Sequence, residues 1–238
     1  TVICSDKTGT LTENRMRVQE LRPDAAPGGV PVVLLRALAL SNDAEAVPGG
    51  GAEGDPTEVA LLEAAAARGM EKPALAELFP LLARLPFSAE RGMMTTLHKE
   101  GEGVIAFVKG APERVLARCV RALDGEAIVP VDSAAVLAEV EALAAEGLRV
   151  LAFGVRRFPS VPDPLAPEEV ERDLTFVGLA GLHDPARPEA RAAIEECTAA
   201  GIQVVMISGD HPVTVDAMSR RLGVTSIVKE SSGVKPAE

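Results

Sequence analysis

The C-terminal part of the chain carries the pattern that most limits its fold. Leu174–Leu182 (LTFVGLAGL) reads as a buried strand, and Ala186–Ala200 as a helix with Ala190, Ala193, Ile194 and Cys197 on one face. Gly201 follows where a left-handed C-terminal cap belongs. Ile202–Ile207 (IQVVMI) is a second buried strand, and S-G-D-H-P then leads into a helix over Val213–Leu222. Strands alternating with helices require a parallel sheet with helices on its faces. At the other end of the chain, Thr1–Ser5 supplies one more short buried strand, with Cys4 packed inside it. Ligands in such sheets bind at the carboxyl ends of strands. Ser5-Asp6, His183-Asp184 and Ser208-Gly209-Asp210 all fall there, so their acids are expected to converge on one crevice.

The middle of the chain reads differently. Val33–Leu40, Pro56–Arg68, Glu113–Cys119 and Ala134–Ala145 are helical in pattern. Met93–Lys99 and Gly103–Lys109 form a hairpin about a turn at Glu100–Gly103, and Arg149–Arg156 is a strand. The proline-rich stretch Pro159–Pro167 suits a linker. The expected architecture is an α/β domain made of residues 1–14 and 174–238, with an α+β domain, residues 15–173, inserted into it. Trp and Tyr are absent and Phe occurs six times, so aliphatic side chains must build the cores. A formal net charge of −11 argues against a nucleic-acid partner, which needs a basic surface. Cys4, Cys119 and Cys197 are too scattered for a disulfide framework or a zinc site, which fits a reducing compartment. His98, His183 and His211 show no ligand spacing and suit solvated or capping roles. With no apolar run of about 18 residues and no signal peptide, the polypeptide as written is expected to be soluble.

The stretch C-S-D-K-T-G-T-L-T-E-N, residues 4–14, carries the chemistry. A carboxylate at a strand end can act as a nucleophile and accept a phosphoryl group. Asp6 is placed to attack, and Lys7 supplies positive charge beside it. The hydroxyls and N–H groups of Thr8, Gly9 and Thr10 can cradle phosphate oxygens as a turn. Phosphoryl transfer depends on such positioning and on charge neutralisation, for which Mg²⁺ is the usual ion.

D-K-T-G-T-L-T, residues 6–12, resembles the phosphorylation motif of P-type ATPases, the ion-motive pumps that cycle through an aspartyl phosphate. Further stretches resemble that family in order: G-D-P-T-E-V-A-L (54–61), F-S-A-E-R (87–91), K-G-A-P-E (109–113), D-P-A-R-P-E (184–189) and M-I-S-G-D (206–210). The resemblance implies a haloacid-dehalogenase-like, Rossmann-type phosphorylation domain with an inserted nucleotide-binding domain. It implies ATP and Mg²⁺ as cofactors, phosphorylation on Asp6, and Asp6 with Thr8 at the metal. Glu58 would contact the adenine amino group, Lys109 with Gly110 the nucleotide, and Arg149 the phosphates. Ser208, Gly209 and Asp210 would hold phosphoryl oxygens, with Asp184 lining the same crevice. G-D-P-T-E with K-G-A-P-E is most similar to the calcium and related cation pumps. Related phosphatases carry a second aspartate two residues after the nucleophile, as general acid and base. Thr8 stands there, so the phosphoenzyme should persist. The family's phosphate-contacting lysine region and its G-D-G-x-N-D-x-P segment are missing, and Lys235 lacks the right context. This implies a C-terminally truncated phosphorylation domain. Its partners would be the pump's transmembrane and actuator domains, at the cytoplasmic face of a membrane.

Several of these residues have a plainer reading. Asp55, Pro56 and Glu58 spell a helix capping box. Phe87 is either an adenine-stacking ring or a core side chain. Arg91 either neutralises phosphate or is solvated, and Lys109 taken alone would sit on the surface. Asp184 and Asp210 precede prolines as helix caps do. Gly49–Gly54 fits G-x-G-x-x-G but follows no strand, so it reads as a surface loop. A soluble phosphatase of the same fold and an ATP-binding module without turnover are the competing functions.

Overall fold

The computed structural model describes residues 1–23, 29–47, 51–208 and 212–228. The chain begins with strand β1 (Val2–Asp6), a tight turn over Lys7–Leu11 and β2 (Arg17–Arg22). Next come α1 (Val32–Leu40), β3 (Glu45–Ala46), β4 (Ala52–Glu53), α2 (Pro56–Ala66) and α3 (Lys72–Leu78). A run of strands follows, β5 (Leu81–Ser88), β6 (Met93–Glu100) and β7 (Gly103–Gly110), then α4 (Pro112–Leu116), β8 (Cys119–Asp124) and β9 (Ala127–Pro130). The remainder is α5 (Ser133–Ala145), β10 (Arg149–Phe158), α6 (Pro167–Val170), β11 (Leu174–His183), α7 (Pro188–Ala199), β12 (Gln203–Ser208), α8 (Pro212–Leu222) and β13 (Thr225–Val228). This mixed α/β chain divides into two compact units.

One unit comprises Thr1–Arg15, Leu143–Arg149 and the described residues from His183 onward. Its sheet is parallel, in the order β1-β12-β13, and sets Asp6 opposite Ile207. Ala190 and Ile194 of α7 and Val215, Met218 and Leu222 of α8 close over Val204, Met206 and Leu11. The opening strand forms as expected but is not buried. Among the described residues it pairs with β12 alone, and Val2 is 56% and Ile3 43% exposed, with Cys4 exposed as well.

The other unit comprises Met16–Ala142 and Val150–Leu182. Its eight-stranded sheet runs β5-β6-β7-β10-β11-β8-β9, with β2 also paired to β11. Leu174–His183 therefore belongs to this sheet and does not join β1 and β12. A nearly continuous apolar run suits any strand covered on both faces and does not name its neighbours. Antiparallel pairing through β5, β6, β7 and β10 sorts the side chains by period two. Ile105 and Phe107 point to the face where Leu34, Leu38 and Leu61 of α1 and α2 are buried. Val104 and Ala106 point to the other face, with Leu97 and Val170. Cys119 opens β8 instead of closing a helix, and burial pushes its thiol up to about 12. Gly51 lies in a small hairpin with β3 and β4, which agrees with a loop reading of the glycine run; Gly49 and Gly50 lie outside the described residues.

Gly178 marks the tightest crossing. Its φ is +149°, and a Cβ there would lie 2.3 Å from the Arg22 carbonyl oxygen and 2.6 Å from Leu34 Cδ2. Backbone is the obstacle, so a rotamer change cannot relieve it. Gly178→Ala is expected to destabilise the chain by about 2–4 kcal/mol, combining overpacking with an unfavourable dihedral. A urea unfolding midpoint beside that of the native chain measures it.

Candidate functional site

β1 delivers Asp6, exposed, to the carboxyl end of the parallel sheet. The chain then turns over Lys7–Leu11, with Gly9 at φ +78°, a dihedral that suits glycine. Thr8 and Thr10 are exposed on this turn, whereas Lys7 is buried. Thr12 holds the turn closed. Its N–H donates to the Lys7 carbonyl at 3.1 Å, and its buried hydroxyl accepts from Gly9 N–H at 3.2 Å. The same hydroxyl donates to Asp184 Oδ2 at 2.5 Å, while Asp184 Oδ1 accepts from Arg15 N–H at 3.1 Å. A short backbone ladder brings these segments together: Glu13 N–H to Pro185 O and Arg187 N–H to Leu11 O, both 2.9 Å. Arg187 Nη2 also donates to Gly9 O at 3.0 Å.

Asp184 thus reaches the opening motif through the ladder, not as a strand end in the same sheet. Nor does it cap a helix, because α7 starts later, at Pro188 behind Arg187. Thr12 and Arg187 were not singled out from sequence, although both stand inside the quoted motifs. Ser208 ends β12 next to Ile207, the partner of Asp6. Gly209, Asp210, His211 and Lys235 lie outside the described residues. Among the described residues no three His, Cys, Asp or Glu side chains share a metal-binding position. An exposed carboxylate beside threonine oxygens does fit Mg²⁺, which is commonly held by one or two carboxylates with phosphate oxygens and water.

A second group of expected residues lies in the sheet of the other unit. Lys109 continues the stripe Ile105–Phe107 and so points at the helical face, where it is 5% exposed. Its Nζ donates to Glu58 Oε1 at 2.6 Å. Burial lowers the Lys109 pKa, and the Glu58 carboxylate opposes that shift. Glu58 Oε2 accepts from Asp43 N–H at 3.1 Å. The capping box is therefore incomplete: Asp55 alone caps α2, through Thr57 N–H at 2.8 Å, and the buried ammonium takes the glutamate instead. Gly110 admits no side chain, since a Cβ would sit 2.4 Å from Gly92 O and 2.6 Å from Met93 Cβ.

Phe87, near the end of β5, is 65% exposed and so is not a core residue. The β5–β6 turn that follows it is tied to the end of β7 by Ala111 N–H donating to Gly92 O at 2.9 Å. Arg91 is not solvated. Its guanidinium donates to Glu171, itself 1% exposed, and to the Pro86 carbonyl. Arg149 opens β10, exposed, in the segment grouped with the first unit. His98 is buried rather than solvated or capping. Its Nδ1 lies 2.9 Å from Phe79 O, its ring meets Phe107 edge-on at 5.7 Å, and burial lowers its pKa.

A protein-family model described as P-type ATPase, cytoplasmic domain N, matches residues 32–189. The chain belongs to the P-type ATPases. It is 36% identical over 242 residues to calcium-transporting ATPase 1 of Bacillus cereus, which covers 97% of this chain and 27% of the relative. It is 38% identical over 263 residues to a probable cation-transporting ATPase F of Mycobacterium bovis, 98% of this chain and 29% of the relative. A calcium-transporting ATPase of Bacillus subtilis is 34% identical over 255 residues, 93% and 28%. The chain thus spans little more than a quarter of these relatives' length.

In this P-type ATPase chain the Lys109–Glu58 pair has a measurable consequence. Glu58→Gln leaves a buried ammonium without its counter-charge and is expected to cost about 3 kcal/mol at neutral pH. Adding Lys109→Met should recover most of that loss, a coupling read by a double-mutant cycle in urea. The pH dependence has a definite sign. Below its folded pKa Lys109 carries the desolvation cost of its charge. As pH rises from there toward the ordinary value of 10.5, the unfolded chain keeps the proton that the folded chain has released, so stability rises. Lys109→Met should remove that rise.

Proposed function

We propose that this chain is the cytosolic catalytic part of an ion-pumping P-type ATPase. The nucleotide-binding domain is the unit of Met16–Ala142 and Val150–Leu182, which takes in β11 and so runs past the boundary expected at residue 173. The two ends of the chain, residues 1–15 and from 183 onward, form a haloacid-dehalogenase-like phosphorylation domain, at the cytoplasmic face of a membrane. The observation that carries this reading is the shape of D-K-T-G-T-L-T: an exposed carboxylate at a strand end, then a turn braced through Thr12 to Asp184. Asp6 attacks the γ-phosphorus of ATP; its Oδ–P bond forms as the bond to ADP breaks. Thr8 and Thr10 offer hydroxyl donors to the phosphoryl oxygens, while Gly9, whose N–H is held by Thr12, gives the turn its bend; Ser208, Gly209 and Asp210 are further candidates on the sequence resemblance. Mg²⁺, when held by Asp6 and Thr8, neutralises phosphoryl charge. ATP would lie at the sheet end that carries Phe87, Lys109 and Gly110, with Glu58 toward the base. The transported ion is a cation, and the relatives named for calcium make calcium the first to try.

A soluble phosphatase would need a general base where Thr8 stands, and a threonine hydroxyl is a poor one. In the complete pump, Thr8→Asp should speed decay of the phosphoenzyme, followed as loss of acid-stable ³²P; unchanged decay would count against this role. For the chain itself, calorimetry of ATP binding beside Lys109→Ala tests the pocket. Saturable binding that weakens at least about tenfold in the variant is expected, the usual range for losing a hydrogen bond to a charged group. Equal binding by both folded proteins would displace Lys109 from the site.

A further inference from the structure

Phe87 stands 65% exposed at a strand end, yet the backbone that carries it is fixed. The fixing comes from the opposite face of the sheet. Thr95 lies opposite Val108, on the face away from Lys109, and its hydroxyl donates to Glu171 Oε1 at 2.7 Å. Arg91 donates through Nη1 to that same oxygen and through Nη2 to the carbonyl of Pro86, the residue before Phe87. Glu171 follows α6, and its own N–H donates to Pro167 O at 2.7 Å. It is therefore held in place by elements that make no part of the nucleotide site. Arginine suits the link because its planar fork spans two acceptors in fixed geometry.

From this chain of contacts we propose that Glu171 is a positioning residue for nucleotide binding. It locks Arg91, Arg91 locks Pro86, and the Phe87 ring is thereby presented to the base in one orientation. The inference rests on the nucleotide reading above. It also gives Arg91 a role different from phosphate neutralisation, because its guanidinium is already engaged on both sides. Glu171 has no direct contact with ligand, so its effect should fall on recognition of the base and not on the phosphates.

The experiment is calorimetry on the full chain with two ligands, ATP and inorganic tripolyphosphate. The proteins are native, Phe87→Ala, Glu171→Gln, Arg91→Lys and the double variant Phe87→Ala/Glu171→Gln, each checked by circular dichroism for native secondary structure. Glu171→Gln is expected to weaken ATP binding several-fold, up to about tenfold, the range of an aromatic stacking contribution. Tripolyphosphate affinity should be unchanged, and the glutamine should add nothing once Phe87 is gone. Arg91→Lys should reproduce the loss for ATP, and it decides the matter if Glu171→Gln does not fold. Parallel loss for both ligands would overturn the proposal, since it would mean a phosphate contact or a general loosening. So would ATP binding that Phe87→Ala weakens but Glu171→Gln and Arg91→Lys leave alone. Absence of ATP binding by the native chain would defeat the nucleotide reading and this inference with it. The chain has no tryptophan, so Phe87→Trp places a single fluorophore at the site. Its anisotropy should fall when Glu171→Gln is added, and an unchanged value would also overturn the proposal.

Discussion

A lysine on the apolar face of a sheet must be answered by a carboxylate, and the larger unit is arranged around that demand. Lys109 occupies the last turn of an alternation that otherwise buries Ile105 and Phe107. Its counter-charge comes from Glu58 on α2, whose second oxygen is held by the Asp43 N–H. Removing water from this pair strengthens their attraction and raises the penalty for separating them. One strand end is thereby locked to the helical layer, and the position directly after it must be Gly110, since a side chain there would collide with Gly92 and Met93.

The smaller unit solves a different problem, how to hold a loop of small polar residues in one shape. Hydroxyls and glycines have little apolar surface to bury, so hydrophobic packing cannot do it. Hydrogen bonds do it instead. Thr12 accepts from Gly9 and donates to Asp184, and Arg187 reaches the Gly9 carbonyl. Both Asp184 oxygens are spent on this task, which leaves Asp6 as an acid of the motif that stands exposed. The nucleophilic role proposed for Asp6 needs that freedom, and its neighbours need the restraint.

Much of this was legible in the chain and some of it was not. Helices α1, α2, α5, α7 and α8 and the β6–β7 hairpin follow from periodicity and turn residues. The strands β2, β5, β8 and β9 and the helix α3 gave weaker signals, because short or half-exposed segments carry little pattern. Leu174–Leu182 was recognised as a strand but assigned to the wrong sheet. Cys4 was expected to be packed, and it is exposed. Glu58 had a complete local explanation as a capping residue, and a distant buried cation overrode it.

Local pattern by itself determined that Asp6 ends a strand and precedes a glycine-bearing polar turn and that parallel and antiparallel elements are both present, while the resemblance of the motifs to P-type ATPases pointed to the family. Those properties depend on neighbours a few residues away, which sequence spacing records. Tertiary structure alone decided which sheet β11 joins, that Lys109 meets Glu58, and that Arg91 meets Glu171 across 80 residues of chain. Periodicity encodes that a face is buried, not what buries it. Charged partners are chosen by which carboxylate the packing brings within reach of a desolvated cation, and that is settled only when the layers close.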